Sequence, residues 1–324
     1  MLISRTPFRI SFVGGGTDID TFYKHQMGSV LSIAINKYFY LNMHPNFKKG
    51  NILLKYSQTE NIDDVNDIEH LVIREVFKKY NVSSVDFASA ADIPAGTGMG
   101  SSSAFTVSLL HLVHSYQKRY ISQSELAKEA CEIEIERLKQ PIGKQDQYGA
   151  AIGGLKLINF YEDEEVEIER IFLNSEQRQK LENNLILFYL GNSRSASAVL
   201  EKQKNVTLNN KKTLDILSRM ADQAKRLKND ILNDVSYIGD YLKEGWELKK
   251  SIMSSITTSS IDQAYETAMA NGGKGAKLLG AGQGGFLLVY AEEKDQQKLI
   301  KSMNTQWTKF KIDNQGSVII YDDS

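Results

Sequence analysis

Hydrophobic positions along this chain repeat in two ways. Near the N-terminus "FRISFV" and "VLSIAINKYFYLNM" are dense in β-branched and aromatic residues and predict strands. "VDFASAADIP" predicts a further strand that stops at its proline. Beyond it Ala104, Val107, Leu110 and Val113 recur at helical spacing, so Ser101, Ser102 and Ser103 fall at a helix N-terminus. Helices then alternate with short strands as far as "GGLKLINFY", and the acidic "EDEEVEIER" predicts a solvated hairpin or edge strand. From "NLILFYLG" the pattern becomes a strand, several long amphipathic helices, the glycine-rich "GGKGAKLLGAGQGG", and the strands "FLLVYA" and "GSVIIYD". This shift predicts a domain boundary near residue 180, with units 1–180 and 181–324.

Length and composition agree with that division. A chain of 324 residues predicts about two domains, and 41% hydrophobic with 24% charged residues is ordinary for a globular protein. The formal net charge of −1 offers no general attraction to nucleic acid or to an anionic membrane, so any anion site must be local. The single cysteine, Cys131, forms no internal disulfide and fits a reducing compartment. "MLISRTPFRISFVGGG" lacks a signal-peptide apolar core and no stretch approaches the ~18 apolar residues of a membrane span, which predicts a cytoplasmic protein.

The candidate chemistry begins at "PAGTGMGSSSAFTVSLLHL", from Pro94 to Leu112. Unpaired N–H groups and the dipole at a helix N-terminus attract anions. Gly96, Gly98 and Gly100 remove side chains and let a bulky polyanion reach those N–H groups. Three serines exceed what a single cap needs, so anion binding outweighs a flexible loop with serine caps. No Walker A string occurs, and the one G-x-G-x-x-G match, Gly280–Gly285, precedes a strand instead of opening a helix. Zinc and serine-hydrolase motifs are absent, and His111 and His114 read as core residues of the helix after the loop.

Glu134 stands out by periodicity. With Leu126 at 0° and about 100° per residue, Ile133, Ala130, Ala127, Leu138 and Cys131 fall between roughly −20° and 140°. Glu134 falls near 80°, inside that stripe, whereas Glu129, Glu132 and Glu136 fall at about −60°, −120° and −80°. An inward carboxylate is costly unless a cation or hydrogen-bond donor meets it. In "GKQDQ" Lys144 precedes Asp146 by two residues and is placed to depress its pKa or to meet a phosphate. Arg194, in "NSRS" between a strand and a helix start, stands beside a second set of free N–H groups, either as a phosphate ligand or in a surface salt bridge.

The order P-x-x-x-G-M-G-S-S-S-A resembles the nucleotide loop of the GHMP kinases, and two further segments agree in order. "TPFRISFVGGGTDI" resembles the N-terminal motif of the sugar kinases in that superfamily, and "LLGAGQGGFLLVY" its C-terminal glycine motif. The resemblance implies an α+β fold: an N-terminal domain like ribosomal protein S5 domain 2, a ferredoxin-like C-terminal domain, and an active site between them. It implies ATP-dependent phosphorylation of a small hydroxylated metabolite. On that resemblance Gly96, Thr97, Gly98, Met99, Gly100, Ser101, Ser102 and Ser103 hold ATP, Ser102 and Glu134 hold Mg2+, and Asp146, Lys144 and Arg9 serve catalysis. Gly14, Gly15, Gly16, Thr17, Asp18, Gly282 and Arg194 are the expected substrate contacts. Galactokinases carry a glutamate and a histidine where this chain has Gly15 and Gly16, which opens space for a larger substrate. The motifs most resemble those of kinases of D-glycero-D-manno-heptose 7-phosphate, with a fucokinase-like enzyme as runner-up. A small-molecule sugar phosphate is thus the expected partner, to a monomer or homodimer without nucleic acid or membrane. A sensor binding ATP and sugar without turnover is the alternative, and the presence of Glu134, Lys144 and Asp146 argues against it.

Overall fold

The computed structural model describes residues 1–191 and 210–323. Twelve strands and ten helices follow one another along those residues, beginning with β1 (Leu2–Val13), the single turn α1 (Asp20–Tyr23) and β2 (Gly28–Pro45). Next come β3 (Ile52–Lys55), β4 (Thr59–Ile62), α2 (Leu71–Tyr80) and β5 (Val85–Ala91). The glycine-serine loop leads into α3 (Ser101–Tyr116), then α4 (Gln123–Cys131), α5 (Gln145–Ala151), β6 (Leu155–Phe160) and β7 (Val166–Ile171). The rest comprises α6 (Ser175–Asn184), β8 (Leu185–Tyr189), α7 (Lys211–Asn233), α8 (Ile238–Ile252) and α9 (Ser259–Ala270). It closes with β9 (Gly273–Leu278), β10 (Phe286–Ala291), α10 (Glu293–Met303), β11 (Trp307–Thr308) and β12 (Val318–Asp322).

The architecture is α+β. Eight strands form the first sheet in the order β12-β1-β2-β5-β3-β4, with β6 pairing both β2 and β7. The second sheet, β11-β8-β10-β9, is antiparallel throughout. β2 is long enough to pair twice on one edge, with β6 through Gly28–Ile33 and with β5 through Phe39–Pro45. Pro7 sits inside β1, where it cannot donate to a ladder, and the register shifts at that point between Pro7 and Phe8. The acidic stretch forms the turn before β7 and β7 itself, an edge strand as its charge predicts.

Alternation along β1 sets up the site. Phe8, Ile10 and Phe12 are fully buried in a core shared with β8, β10 and α7, each such side chain worth about 1.5–3 kcal/mol. Arg9 and Ser11, on the opposite face, line a cavity. The expected boundary near residue 180 lies within α6, between the last strand of the first run and β8. The chain does not stay beyond it, however: β12 returns to pair with the free edge of β1, Leu2 opposite Asp322.

Candidate active site

A cavity of about 390 Å³ lies between the two sheets, lined by the glycine-serine loop, β1, the segment after it, and the glycines before β10. α3 is buried on nearly every side. Its N-cap is Gly100 in the left-handed conformation at φ 71°, with no side chain to occupy the first-turn N–H groups. Ser101 and Ser102 therefore face the cavity beside free donors, the arrangement an anion needs. Gly98 serves a different purpose, since a Cβ there would lie 2.4 Å from the carbonyl oxygen of Leu279. Its partner Gly280 would place a Cβ 2.4 Å from the Cα of Gly98, so the two loops touch backbone to backbone. Gly96 lines the cavity, and a Cβ there meets open space.

Two residues expected to hold the nucleotide turn away from it. Thr97 is buried, with its hydroxyl donating to the Pro94 carbonyl at 3.0 Å, and Met99 is buried in the core shared by the sheets. Alternation through the loop sends Thr97 and Met99 inward while Gly96, Gly98 and Gly100 reach the cavity. The same holds in the first glycine segment. Gly15, Gly16 and Asp18 line the cavity, but Gly14 packs where a Cβ would lie 2.0 Å from the Ser29 carbonyl oxygen. The Thr17 hydroxyl is spent on the Gly14 carbonyl at 2.8 Å, which shapes the turn.

At the centre stands Asp146, in the first turn of α5. Arg9 holds it through Nε and Nη2, at 2.7 and 2.6 Å, both to Oδ1. Arg9 Nη1 also donates to the Gly98 carbonyl at 2.9 Å, and its stem packs on Gly100 and Gly149. One buried arginine thus ties the acceptor side to the anion loop. Lys144, expected beside Asp146, lies elsewhere: its Nζ donates to the Glu164 carboxylate and sits 4.7 Å from the Tyr23 ring. The helix that begins at Gln145 turns the two side chains apart, and the acidic hairpin captures the lysine.

Glu134 is wholly buried, as its place in the stripe predicts, although residues 132–137 form a π-helical turn rather than a continuation of α4. Four donors meet its carboxylate: Ser102 at 3.0 Å, Ser103 at 2.8 Å, Thr106 at 3.1 Å and Gln147 at 2.7 Å. No cation pairs with it among the described residues, so it is not half of a buried ion pair. Burial pushes its pKa up, and the four donors oppose that rise. Asp18 is buried as well, accepting from the Gly16 and Gln145 backbones at 2.9 and 3.1 Å and from Gln145 Nε2 at 2.9 Å. Burial and the nearby charge of Asp146 raise its pKa.

Ser11, Gln145, Lys249 and Lys277 are among the lining residues that escape the motif-based reading. Ser11 Oγ and Gln145 Oε1 are buried with no hydrogen-bond partner, both close to Gly15. Period-two alternation from Arg9 points to Ser11. Lys249 and Lys277 line the cavity from α8 and β9. Lys249 lies on the apolar stripe of α8 with Leu242, Trp246 and Ile252, the same signal that marks Glu134. Gly282, an expected substrate contact, lines the cavity, and Arg194 lies outside the described residues.

Family models match on both sides of this cavity: GHMP kinases N terminal domain over residues 67–154 and GHMP kinases C terminal over residues 220–309. The chain belongs to the GHMP kinases. It is 26% identical over 317 residues to D-glycero-alpha-D-manno-heptose 7-phosphate kinase of Campylobacter jejuni, covering 94% of this chain and 93% of that protein. It is 24% identical to the bifunctional fucokinase/GDP-fucose pyrophosphorylase of Arabidopsis thaliana, over 94% of this chain but 31% of that protein. A crystal structure described as a D-glycero-D-manno-heptose 1-phosphate kinase from Bacteroides thetaiotaomicron superposes with a TM-score of 0.80 over 100% of both chains, at 22% identity. The fold is the GHMP kinase fold, and the enzyme is a phosphotransferase acting on an alcohol group. No helix among the described residues is long and apolar enough to cross a membrane.

Proposed function

We propose that the enzyme transfers the γ-phosphoryl group of ATP to the anomeric hydroxyl of D-glycero-D-manno-heptose 7-phosphate. The product is the 1,7-bisphosphate, a precursor of nucleotide-activated heptose for surface polysaccharide. The observation that carries the reading is Asp146 held by Arg9 between the α3 N-terminus and the Gly15–Asp18 segment. Both bonds from Arg9 end on Oδ1, which leaves Oδ2 to accept the proton of the substrate hydroxyl. As that oxygen bonds to Pγ, the bond from Pγ to the β–γ bridging oxygen breaks and ADP departs. Gly96, Gly98, Gly100, Ser101 and Ser102 receive the nucleotide phosphates, and Ser11, Gly15, Gly16, Asp18 and Gln145 face the sugar. In this arrangement residues 1–180 supply the base and the anion loop, while residues 181–324 close the cavity with the glycines around Gly282.

A magnesium site fits the donor set. Mg2+ is commonly held by one or two carboxylates together with substrate phosphates and water. Ser102 at the cavity wall and Glu134 behind it, a buried carboxylate without a cation, are the residues that would hold the ion. Bound there, it would neutralise charge on the phosphates.

The heptose assignment is supported by the Campylobacter relative and by the room that Gly15 and Gly16 leave. A screen of ADP release with ATP and Mg2+ tests it, using heptose 7-phosphate, free heptose, fucose and galactose as acceptors. Turnover dominated by heptose 7-phosphate is expected. Preference for fucose or galactose, or no turnover with any acceptor, overturns the assignment.

A further inference from the structure

We propose that Lys249 and Lys277 form the subsite for the phosphate group that the sugar already carries. The inference rests on the acceptor being a sugar phosphate. Both lysines line the cavity, 8% and 4% exposed. They come from two elements packed closely together: α8 lies on β9 with Gly239 against Gly275, where a Cβ on Gly275 would fall 1.7 Å from the Gly239 carbonyl oxygen. From that contact α8 runs on along β9, and both lysines reach the same cavity.

Neither lysine is neutralised by contact. No carboxylate lies within 4 Å of either ammonium among the described residues, and the cavity's carboxylates are otherwise engaged. Asp146 is paired with Arg9, and Asp18 accepts three N–H bonds from Gly16 and Gln145. Lys277 Nζ donates to the carbonyls of Ser11 and Phe12, both at 2.9 Å, and Lys249 Nζ to that of Gly280. An ammonium has three N–H bonds, so each keeps at least one for a ligand. Burying two such charges beside Arg9 is unfavourable: burial and the charges of Lys249 and Arg9 lower Lys277 well below the usual range, and burial and Arg9 push Lys249 down to about 8. A neutral sugar brings no countercharge to them. A phosphate dianion supplies the missing countercharge.

Position separates the sugar's phosphate from the γ-phosphate of ATP. Arg9 reaches the nucleotide loop through Gly98, and Ser11 lies two residues further along β1, about 7 Å away. Lys277 is anchored at Ser11, whose own Oγ is unpartnered, and the charge that most supports Lys249 is Asp18. Lys277 therefore sits toward the acceptor end, and Lys249, whose Nζ donates to the Gly280 carbonyl where that glycine packs on Gly98, stands between it and the nucleotide loop.

The test uses the full chain and the variants Lys249→Gln and Lys277→Gln, with Lys249→Arg as a charge-keeping control. KM is read for heptose 7-phosphate, free heptose and ATP, and Kd for heptose 7-phosphate by calorimetry without nucleotide. Either glutamine variant should raise KM and Kd for heptose 7-phosphate tenfold or more, narrow the preference over free heptose, and leave KM for ATP within twofold; Lys249→Arg should restore most of the affinity. Melting temperatures are read first, and Lys249→Gln carries the test if Lys277→Gln does not fold. A rise in KM for ATP alone would assign the lysines to the γ-phosphate, and unchanged constants throughout would make them structural; either result overturns the proposal. A wild-type enzyme that prefers free sugars is a separate failure, that of the acceptor assignment.

Discussion

Arg9 and Asp146 are joined by two short bonds, from Nε and Nη2 to the single oxygen Oδ1. The arginine is 4% exposed and the aspartate 27%, so the pair sits at the inner wall of the cavity with its carboxylate still reachable. This geometry holds the proposed base in place and tells the substitutions apart.

Asp146→Asn should leave ATP affinity nearly unchanged and lower turnover by roughly 10²–10⁴, the range expected for loss of a general base. Steady-state kinetics with equilibrium nucleotide binding checks it. Near-normal turnover would reduce Asp146 to positioning.

Arg9→Lys keeps the charge but loses the fork that reaches both Asp146 and the Gly98 carbonyl. Turnover should fall at least tenfold, and thermal unfolding should show a loss of about 1.5–3 kcal/mol for the charged hydrogen bonds. An unaltered melting curve would show that the bridge contributes nothing to the fold.

Glu134→Gln should fold. The hydroxyls of Ser102 and Thr106, both on Oε1, can rotate to accept from the new amide while Gln147 and Ser103 keep an oxygen to donate to. The dependence of rate on Mg2+ concentration should shift to higher Mg2+. The pH effect has a definite sign. A carboxyl whose pKa is raised by burial contributes stability that is complete below its unfolded pKa and is lost as pH rises through the folded value. The variant should therefore gain on the wild type as pH rises from acid to neutral, read by parallel melting curves.

Lys249 gives the opposite pH signature in binding and in stability. Arg9 on β1, Asp18 beyond it and Lys277 on β9 are the charged groups around it. With its pKa lowered to about 8, the folded chain holds fewer protons than the unfolded one between that value and the ordinary lysine range. Free-enzyme stability relative to Lys249→Gln should rise as pH passes upward through about 8, whereas affinity for heptose 7-phosphate should fall. Calorimetry across that range checks both.

Much of this site is legible in the chain because backbone and periodicity impose it. Gly98 declares an approach that a side chain forbids, and Glu134 declares itself by lying in an apolar stripe. What escapes is set by tertiary contact. The partner of Asp146 is Arg9, 137 residues away, rather than Lys144, because Glu164 and Tyr23 take the lysine. Thr97 and Met99 belong to the motif by position but to the core by direction. The return of β12 to β1 has no local signal, since strand order depends on which edge is left open.

The most direct measurement of the central claim is the position of the new phosphate, found by one- and two-dimensional 31P–1H NMR of the product of ATP, Mg2+ and D-glycero-D-manno-heptose 7-phosphate. The account predicts a second phosphorus signal coupled to the anomeric proton, appearing with ADP and lost in Asp146→Asn. A new phosphate on any other carbon, or bound ATP that never yields ADP with this acceptor, would contradict it.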